Sequence, residues 1–316
     1  MAEQKLRVAL IAGGVSGERE VSLSGAAAVE AALDQEKFIV RRYDPASDLV
    51  RIAADAELID FAFILLHGLF GEDGTVQGFL DLLNIPYQGS GVLGSAIAMD
   101  KNLAKELYKL NGLPVADWHI VDDTSQINGP ELVQRFGLPV VIKPVREGSS
   151  LGLTLAKTEQ QLLEGIEIAL RHDSEVMVEQ YISGRELTVG VLGNTTLEGM
   201  PVIEIIPGEG YAFFDYDAKY KPGATREICP AEISDELTTL VQQYGVAAHK
   251  VLRLKGYSRT DMMLDENGAL YLLETNTIPG MTATSLMPQS AAAHGLDFSQ
   301  FLEKLIVLGR EGRKVE

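Results

Sequence analysis

Apolar residues fall into short blocks whose spacing changes along the chain. Leu6 to Ala12 is an almost unbroken apolar run that stops at Gly13-Gly14, the pattern of a buried strand. From Glu18 through Leu33 the apolar positions recur at helical spacing, so a strand, a glycine turn and a helix follow one another. Phe38 to Tyr43 and Phe61 to Leu66 predict two more strands, the second running into His67-Gly68-Leu69-Phe70-Gly71-Glu72-Asp73-Gly74.

A new helical stretch starts at Gly89-Ser90-Gly91. Asp100 is placed as the N-cap of a helix that carries Lys101 and ends near Asn111-Gly112. Strands are then expected at Leu138 to Val145, Leu153 to Ala156 and Glu175 to Ile182, with a helix from Glu159 to about His172. Further strands at Glu186 to Leu192 and Gly199 to Ile206 lead into residues 207–232, rich in Gly, Pro, Tyr, Phe, Asp and Lys. A segment of that length without periodicity reads as a lid over a site. Helices from Asp235 to about Leu254 and from Phe298 to Leu308 complete the pattern.

Between those helices, Asn267-Gly268 separates two apolar runs and predicts a hairpin with a type I′ turn. A two-residue turn sets Asp261 opposite Glu274 and Arg259 opposite Asn276; a four-residue turn slips each pairing by two. Either register leaves all four on one face of the sheet. Adjacent carboxylates repel unless a cation lies between them, and oxygen ligands from Asp, Glu and Asn suit magnesium. Met262, Leu264, Leu270 and Leu272 make both strands largely buried, which favours a metal site over a solvated face.

Composition narrows the function classes. The 316 residues allow two or three packed units. A net charge of −18 argues against a nucleic-acid or anionic membrane partner. One cysteine, Cys229, leaves no disulfide framework or cysteine zinc cluster. The first apolar run is too short for a membrane span and lacks a cleavage pattern, so a cytoplasmic protein is expected.

Three other places carry candidate chemistry. Gly13-Gly14 precedes a helix, but its spacing is not that of a dinucleotide fingerprint, and Glu18 in the first helical turn is explained as well by the helix dipole as by binding an amine. His67 stands at a strand end, where open α/β sheets gather ligands. Lys143 sits within Leu-Pro-Val-Val-Ile-Lys-Pro-Val, where an ammonium is costly without an anion. The loop after it offers Gly148, Ser149, Ser150 and Gly152, which suit phosphates; an ordinary hairpin loop with a snorkelling lysine is the competing account.

Six ordered segments together resemble the D-alanine–D-alanine ligases of the ATP-grasp superfamily, over essentially the whole chain. They are Gly13 to Ser22, Leu66 to Gly74, Met99-Asp100-Lys101, Ile142 to Ser150, Phe213 to Tyr220 and Leu273 to Thr282. The resemblance implies an α/β protein of the ATP-grasp type: an N-terminal open α/β domain (1–98), then a central lid subdomain (99–184) and a C-terminal catalytic subdomain (185–316, with the lid loop 207–232) that clamp ATP between them. It further implies a cytoplasmic homodimer that joins two D-alanine molecules for peptidoglycan through a D-alanyl phosphate.

By the same resemblance, Asp261, Glu274 and Asn276 hold two magnesium ions, with manganese as the alternative. Lys101, Lys143, Ser149, Ser150 and Lys219 meet the ATP phosphates. Glu179, Gln180, Ile182 and Glu186 take adenine and ribose, with Phe213 and Met263 as apolar walls. Glu18 receives the first D-alanine's ammonium with His67 nearby, and Ser285 and the Leu286 amide receive the second substrate's carboxylate. Arg259 and the Gly280 amide form an oxyanion hole, and Tyr220 latches the lid through Ser149 toward Glu18. Gln180 and Phe214 depart from the residues frequent in the family, lysine and tyrosine. Competing readings are a ligase joining D-alanine to D-lactate, which the Ala218-Lys219-Tyr220 segment disfavours, a nucleotide-binding regulatory module and a Rossmann oxidoreductase.

Overall fold

The computed structural model describes residues 4–122, 127–208 and 225–311. The chain begins with β1 (Leu6–Ile11), α1 (Arg19–Ala32), β2 (Phe38–Tyr43), α2 (Pro45–Ala54), β3 (Phe61–Ile64), α3 (Thr75–Leu82) and α4 (Val92–Met99). The three strands pair in parallel, ordered β2-β1-β3. Helices cover both faces of β1 and β3, which is why these strands are continuously apolar rather than alternating. α2 goes beyond the periodicity reading, although Asp44 accepting from Ala46 N–H and Pro45 in the first turn are ordinary start signals.

The second sheet is built from β4 (Trp118–Val121), β5 (Val140–Pro144), β6 (Thr154–Ala156) and β7 (Val176–Gln180), antiparallel in the order β4-β7-β5-β6. α6 (Gly129–Phe136) and α7 (Glu159–Ala169) pack on one face, where Leu132, Phe136, Leu162 and Ile166 meet Val140, Ile142 and Val178. The alternation of β5 therefore turns Val141 and Lys143 to the opposite face. α5 (Lys101–Leu110) starts at the predicted cap, the Asp100 carboxylate accepting from Leu103 N–H at 2.9 Å. It packs elsewhere, with Ala104 and Tyr108 in the core of the third sheet.

That third sheet has the order β11-β10-β8-β12-β13, with β9 on β8. Its strands are β8 (Gly184–Gly193), β9 (Leu197–Gly199), β10 (Ile203–Pro207), β11 (Thr225–Ile228), β12 (Gly256–Asp265) and β13 (Leu270–Asn276). α8 (Asp235–Val251) covers the face that α5 also covers, α9 (Leu286–Ala293) follows the hairpin, and α10 (Phe298–Glu311) returns to the first sheet. The strand expected over 199–206 divides, because Met200-Pro201 interrupts it and proline cannot donate to a ladder. The stretch expected to be structureless over 207–232 contains β11, paired with β10.

The hairpin differs from the expected turn. Only Gly268 of Asn267-Gly268 has positive φ (+84°), and Asp265 and Ala269 close a three-residue loop. The ladder then pairs Leu264 with Leu270 and Met262 with Leu272, but Asp261 with Glu274 and Arg259 with Asn276. Leu273 is the extra residue of a β-bulge, which restores the pairing a two-residue turn would have made. The bulge also breaks alternation on β13. Leu272 and Thr275 face the helices, while Leu273 and Glu274 both face the open side.

Candidate active site

The open faces of the second and third sheets enclose a cleft of about 360 Å³. Lys101, Lys143, Ser149, Ser150, Asp261 and Glu274 line it, as do Glu179, Gln180, Ile182, Glu186 and Met263. A second cavity of about 470 Å³ lies toward the first sheet. Glu18, His67, Arg259, Asn276, Gly280, Ser285 and Leu286 line that one. Gly148, Ser149 and Glu274 border both, so the two spaces meet at the loop after β5 and the bulged end of β13. Phe213, Lys219 and Tyr220 lie outside the described residues.

Asp261 is the anchor of the junction. Its carboxylate accepts from Arg259 Nε and Nη2 at 2.9 and 2.7 Å, from Thr188 Oγ1 at 2.5 Å and from Asn276 Nδ2 at 3.2 Å. Burial acts to lower the Arg259 pKa, and the adjacent Asp261 charge outweighs it, holding the guanidinium above its usual range. Asp261 and Glu274 bring two carboxylates and Asn276 a carboxamide. Among the described residues, no cluster of three acids, histidines or cysteines suited to a metal is present. A cation here would complete its shell with water and phosphate oxygens, the usual arrangement for magnesium, so the donor set fits that ion.

On the cleft floor, Lys143 Nζ donates to Glu179 Oε2 at 2.7 Å and Lys105 Nζ approaches Glu179 Oε1 at 2.5 Å. The Glu179 carboxylate thus faces two lysines at the floor of the cleft it lines. Lys101 Nζ donates to the Glu147 carbonyl at 2.5 Å and lies 3.6 Å from Glu274. In the loop, φ is left-handed at Ser149 (+47°), Ser150 (+58°) and Gly152 (+72°). Gly148 serves a different purpose: a Cβ there would lie 2.6 Å from Glu18 Oε2. Glycine is needed for close approach rather than for its φ.

Glu18 occupies the N-cap position of α1 but makes no cap hydrogen bond with its side chain. Its buried carboxylate instead accepts from the Ser149 hydroxyl, joining the first sheet to the phosphate-type loop. The helix-dipole account of Glu18 therefore misses what the side chain does. Gly13-Gly14 are also spoken for: Gly14 N–H donates to Asp44 at 2.9 Å, Gly13 N–H to Ser22 Oγ at 2.8 Å, and Arg19 closes on Asp44 at 2.5 Å. Those amides are not presented to a pyrophosphate, which removes the physical basis of the Rossmann reading.

Sequence reasoning assigned no role to Glu72, Lys105 or Thr188. Glu72 accepts from Gly68 N–H at 2.8 Å and Ile278 N–H at 3.3 Å. Its place in the segment Leu66 to Gly74 was the available signal. Burial, reinforced by the Glu18 charge, pushes its pKa up from 4.5 to about 8, while burial pulls the His67 pKa down against the Glu18 charge. Folded chain thus retains a proton that unfolded chain sheds above about pH 4.5, and stability is lost as pH rises from about 4.5 through about 8. Glu72→Gln is expected to flatten that part of the profile. Denaturant midpoints of the ligand-free protein between pH 5 and 9 check this; a variant with the parent's slope contradicts it.

The start of α9 opens into the second cavity. Ser285 is its N-cap residue, and its hydroxyl accepts from Thr282 N–H at 3.0 Å rather than capping the helix. The first N–H groups of a helix lack intrahelical partners and attract carboxylates.

Family models agree with this architecture. One described as "D-ala D-ala ligase C-terminus" matches residues 107–307, and one described as "D-ala D-ala ligase N-terminus" matches residues 44–90. A D-alanine–D-alanine ligase of Desulfotalea psychrophila is 62% identical over 98% of this chain and 97% of its own length. The chain belongs to the D-alanine–D-alanine ligase family. Among solved structures of ligases, that of the Bacillus anthracis D-alanine–D-alanine ligase complexed with ATP has a TM-score of 0.85 and 35% identity, covering 98% of each chain. A D-Ala:D-Ser ligase from Enterococcus faecalis has a TM-score of 0.83 and 33% identity, covering 97% of this chain and 100% of its own. The ATP-grasp fold expected from the sequence is thereby established, and its two sheets facing one cleft are the grasping surfaces.

Proposed function

We propose that the chain joins two D-alanine molecules at the expense of ATP, releasing ADP and phosphate, to make a peptidoglycan precursor. One observation carries the reading: the Arg259–Asp261 pair, with Glu274 opposite Asp261, stands where a nucleotide-sized cleft and a second polar cavity meet. ATP occupies the first space, with Lys101, Lys143 and the Ser149-Ser150 loop on its phosphates and Glu179, Gln180, Ile182, Glu186 and Met263 toward its nucleoside. Lys219 and Phe213 are assigned to the same ligand.

The first D-alanine sits in the second cavity with its ammonium on Glu18, near His67. Its carboxylate attacks the γ-phosphorus; the new O–P bond forms as the bond to the β-phosphate oxygen breaks, giving an acyl phosphate and ADP. The second D-alanine's carboxylate rests at the start of α9, on Ser285 and the Leu286 amide. Its neutral amine attacks the acyl carbon, phosphate leaves, and a proton is lost from nitrogen. Arg259 Nη1, with Nε and Nη2 committed to Asp261, and the Gly280 amide receive the oxyanion. Asp261, Glu274 and Asn276 would hold magnesium, which supplies charge neutralisation at the phosphoryl oxygens. Tyr220, which lies outside the described residues, is assigned the task of keeping water from the acyl phosphate.

The units are drawn at 1–98, 99–184 and 185–316, with α5 packing out of the second unit into the third. The dimeric state and cytoplasmic location follow the family resemblance; no helix among the described residues is long and apolar enough to cross a membrane. The test is phosphate release from magnesium ATP with D-alanine, L-alanine or no amino acid, the product weighed by mass spectrometry, and with D-serine or D-lactate offered as second substrate. D-Alanine-dependent phosphate with D-alanyl-D-alanine as the main product is expected. Phosphate release indifferent to D-alanine, or a preferred D-serine or D-lactate product, would overturn the assignment.

A further inference from the structure

Lys105 is the fully buried charge that the chemistry above leaves without a task. It lies on α5, 0% exposed, and burying an ammonium is costly unless it is paired. Its Nζ approaches Glu179 Oε1 at 2.5 Å, donates to the Leu272 carbonyl at 3.4 Å and stands 5.5 Å above the Trp118 ring. These partners belong to different layers: Glu179 is on β7 and Trp118 on β4 of the second sheet, Leu272 on β13 of the third. Tyr108, one turn further along α5, ties the same helix to Thr275 at 2.7 Å. Lys105 does not line the nucleotide cleft. Glu179 does, and its other oxygen holds Lys143 at 2.7 Å.

We propose that Lys105 is a positioning residue for nucleotide binding: by occupying one oxygen of Glu179 it keeps Lys143 singly held and presented to polyphosphate. Two ammonium groups sharing one carboxylate leave a net positive charge at the cleft floor. Without Lys105 the triad becomes a neutral pair, and both oxygens of Glu179 are left to draw Lys143 away from the phosphates. Burial pulls the Lys105 pKa down, against the Glu179 charge, whereas at Lys143 the charges of Glu179 and Glu274 outweigh burial. The asymmetry fits a division of labour in which Lys105 is the internal strut and Lys143 the outward contact. An apolar residue at position 105 would fill the space without holding Glu179 in place.

The inference rests on Lys143 contacting phosphate, and the experiment separates the two claims. Dissociation constants for Mg-ADP and for adenosine are measured on the full chain carrying Lys105→Met, Glu179→Gln, both together, or Lys143→Met. Lys105→Met is expected to weaken Mg-ADP about tenfold while adenosine, which has no phosphate, changes by less than about twofold. In the Glu179→Gln background the Lys105 substitution should add less than about twofold, because its route of action is already gone. Equal loss of both ligands from Lys105→Met would make Lys105 purely structural, and an additive double variant would mean that it does not act through Glu179; either overturns the proposal. Unchanged Mg-ADP affinity in Lys143→Met overturns the phosphate assignment and this inference with it, whereas an effect there and none in Lys105→Met overturns the inference alone. Should Lys105→Met fail to fold, the double variant compared with Glu179→Gln still decides, since it removes both buried charges and a further tenfold loss would refute the coupling.

Discussion

Arg259→Met is expected to lower kcat by about 10²-fold or more while leaving the KM for ATP within a few-fold of the parent. A donor aimed at a developing oxyanion is worth about 2.7–4 kcal/mol, corresponding to 10²–10³ in rate. Arg259 lines the second cavity and not the cleft between the sheets, so on the proposed assignment the loss should fall on attack by the second D-alanine rather than on nucleotide affinity. Asp261 would still accept from Thr188 and Asn276, which limits collapse of the neighbouring strand. Steady-state kinetics, with ADP and dipeptide counted separately, provide the check. A fall in kcat below about fivefold would place the oxyanion elsewhere.

The second large effect is expected at the residue that Arg259 grips. Asp261→Asn should raise the magnesium concentration needed for half-maximal activity by about 10²-fold, because even groups behind metal ligands typically cost 10–100-fold in metal affinity. The same change weakens the bidentate hold on Arg259, since an amide presents one acceptor where the carboxylate presents two. Turnover should therefore remain depressed at saturating magnesium. Magnesium titrations of initial rate on parent and variant separate the two parts. A variant with the parent's magnesium midpoint and full turnover would show that this carboxylate holds neither the ion nor the arginine.

Both experiments concern a hairpin whose pairing was readable and whose geometry was not. Arg259, Asp261, Glu274 and Asn276 share a face on parity alone, and their pairing appears in the ladder as a two-residue turn would have it. It is reached by a different route, through a three-residue loop and a bulge at Leu273. Local pattern cannot reveal such a bulge, because Leu-Leu reads equally well as two buried neighbours. Its effect is large: strict alternation would have put Glu274 on the same side as Leu272, inside the core.

Lys105 and Glu72 illustrate a second kind of blindness. On the sequence, Lys105 is a lysine one turn after Lys101 in an amphipathic helix, a pattern that ordinarily means a solvated side chain. The packing of α5 against the third sheet buries it, and only then does a partner on a strand 74 residues away become necessary. Glu72 lies in a segment that looked functional, but its raised pKa comes from burial and then from the Glu18 charge, against the Gly68 and Ile278 N–H groups that pull it down, and no local rule brings those together.

What the sequence determined by itself was the inventory and much of its order. Strand and helix periods, the Asp100 cap, the glycine and serine loop after Lys143 and the six matching segments were enough for the fold and the reaction class. The tertiary structure decided which charges meet. It placed Glu18 against Ser149 across two sheets, closed Gly14 on Asp44 and Gly13 on Ser22, and set Glu179 between two lysines on the cleft floor. The physical reason is range: backbone propensity and periodicity act over a few residues, whereas the pairing and burial that give an ionisable group its role depend on neighbours brought in from distant parts of the chain.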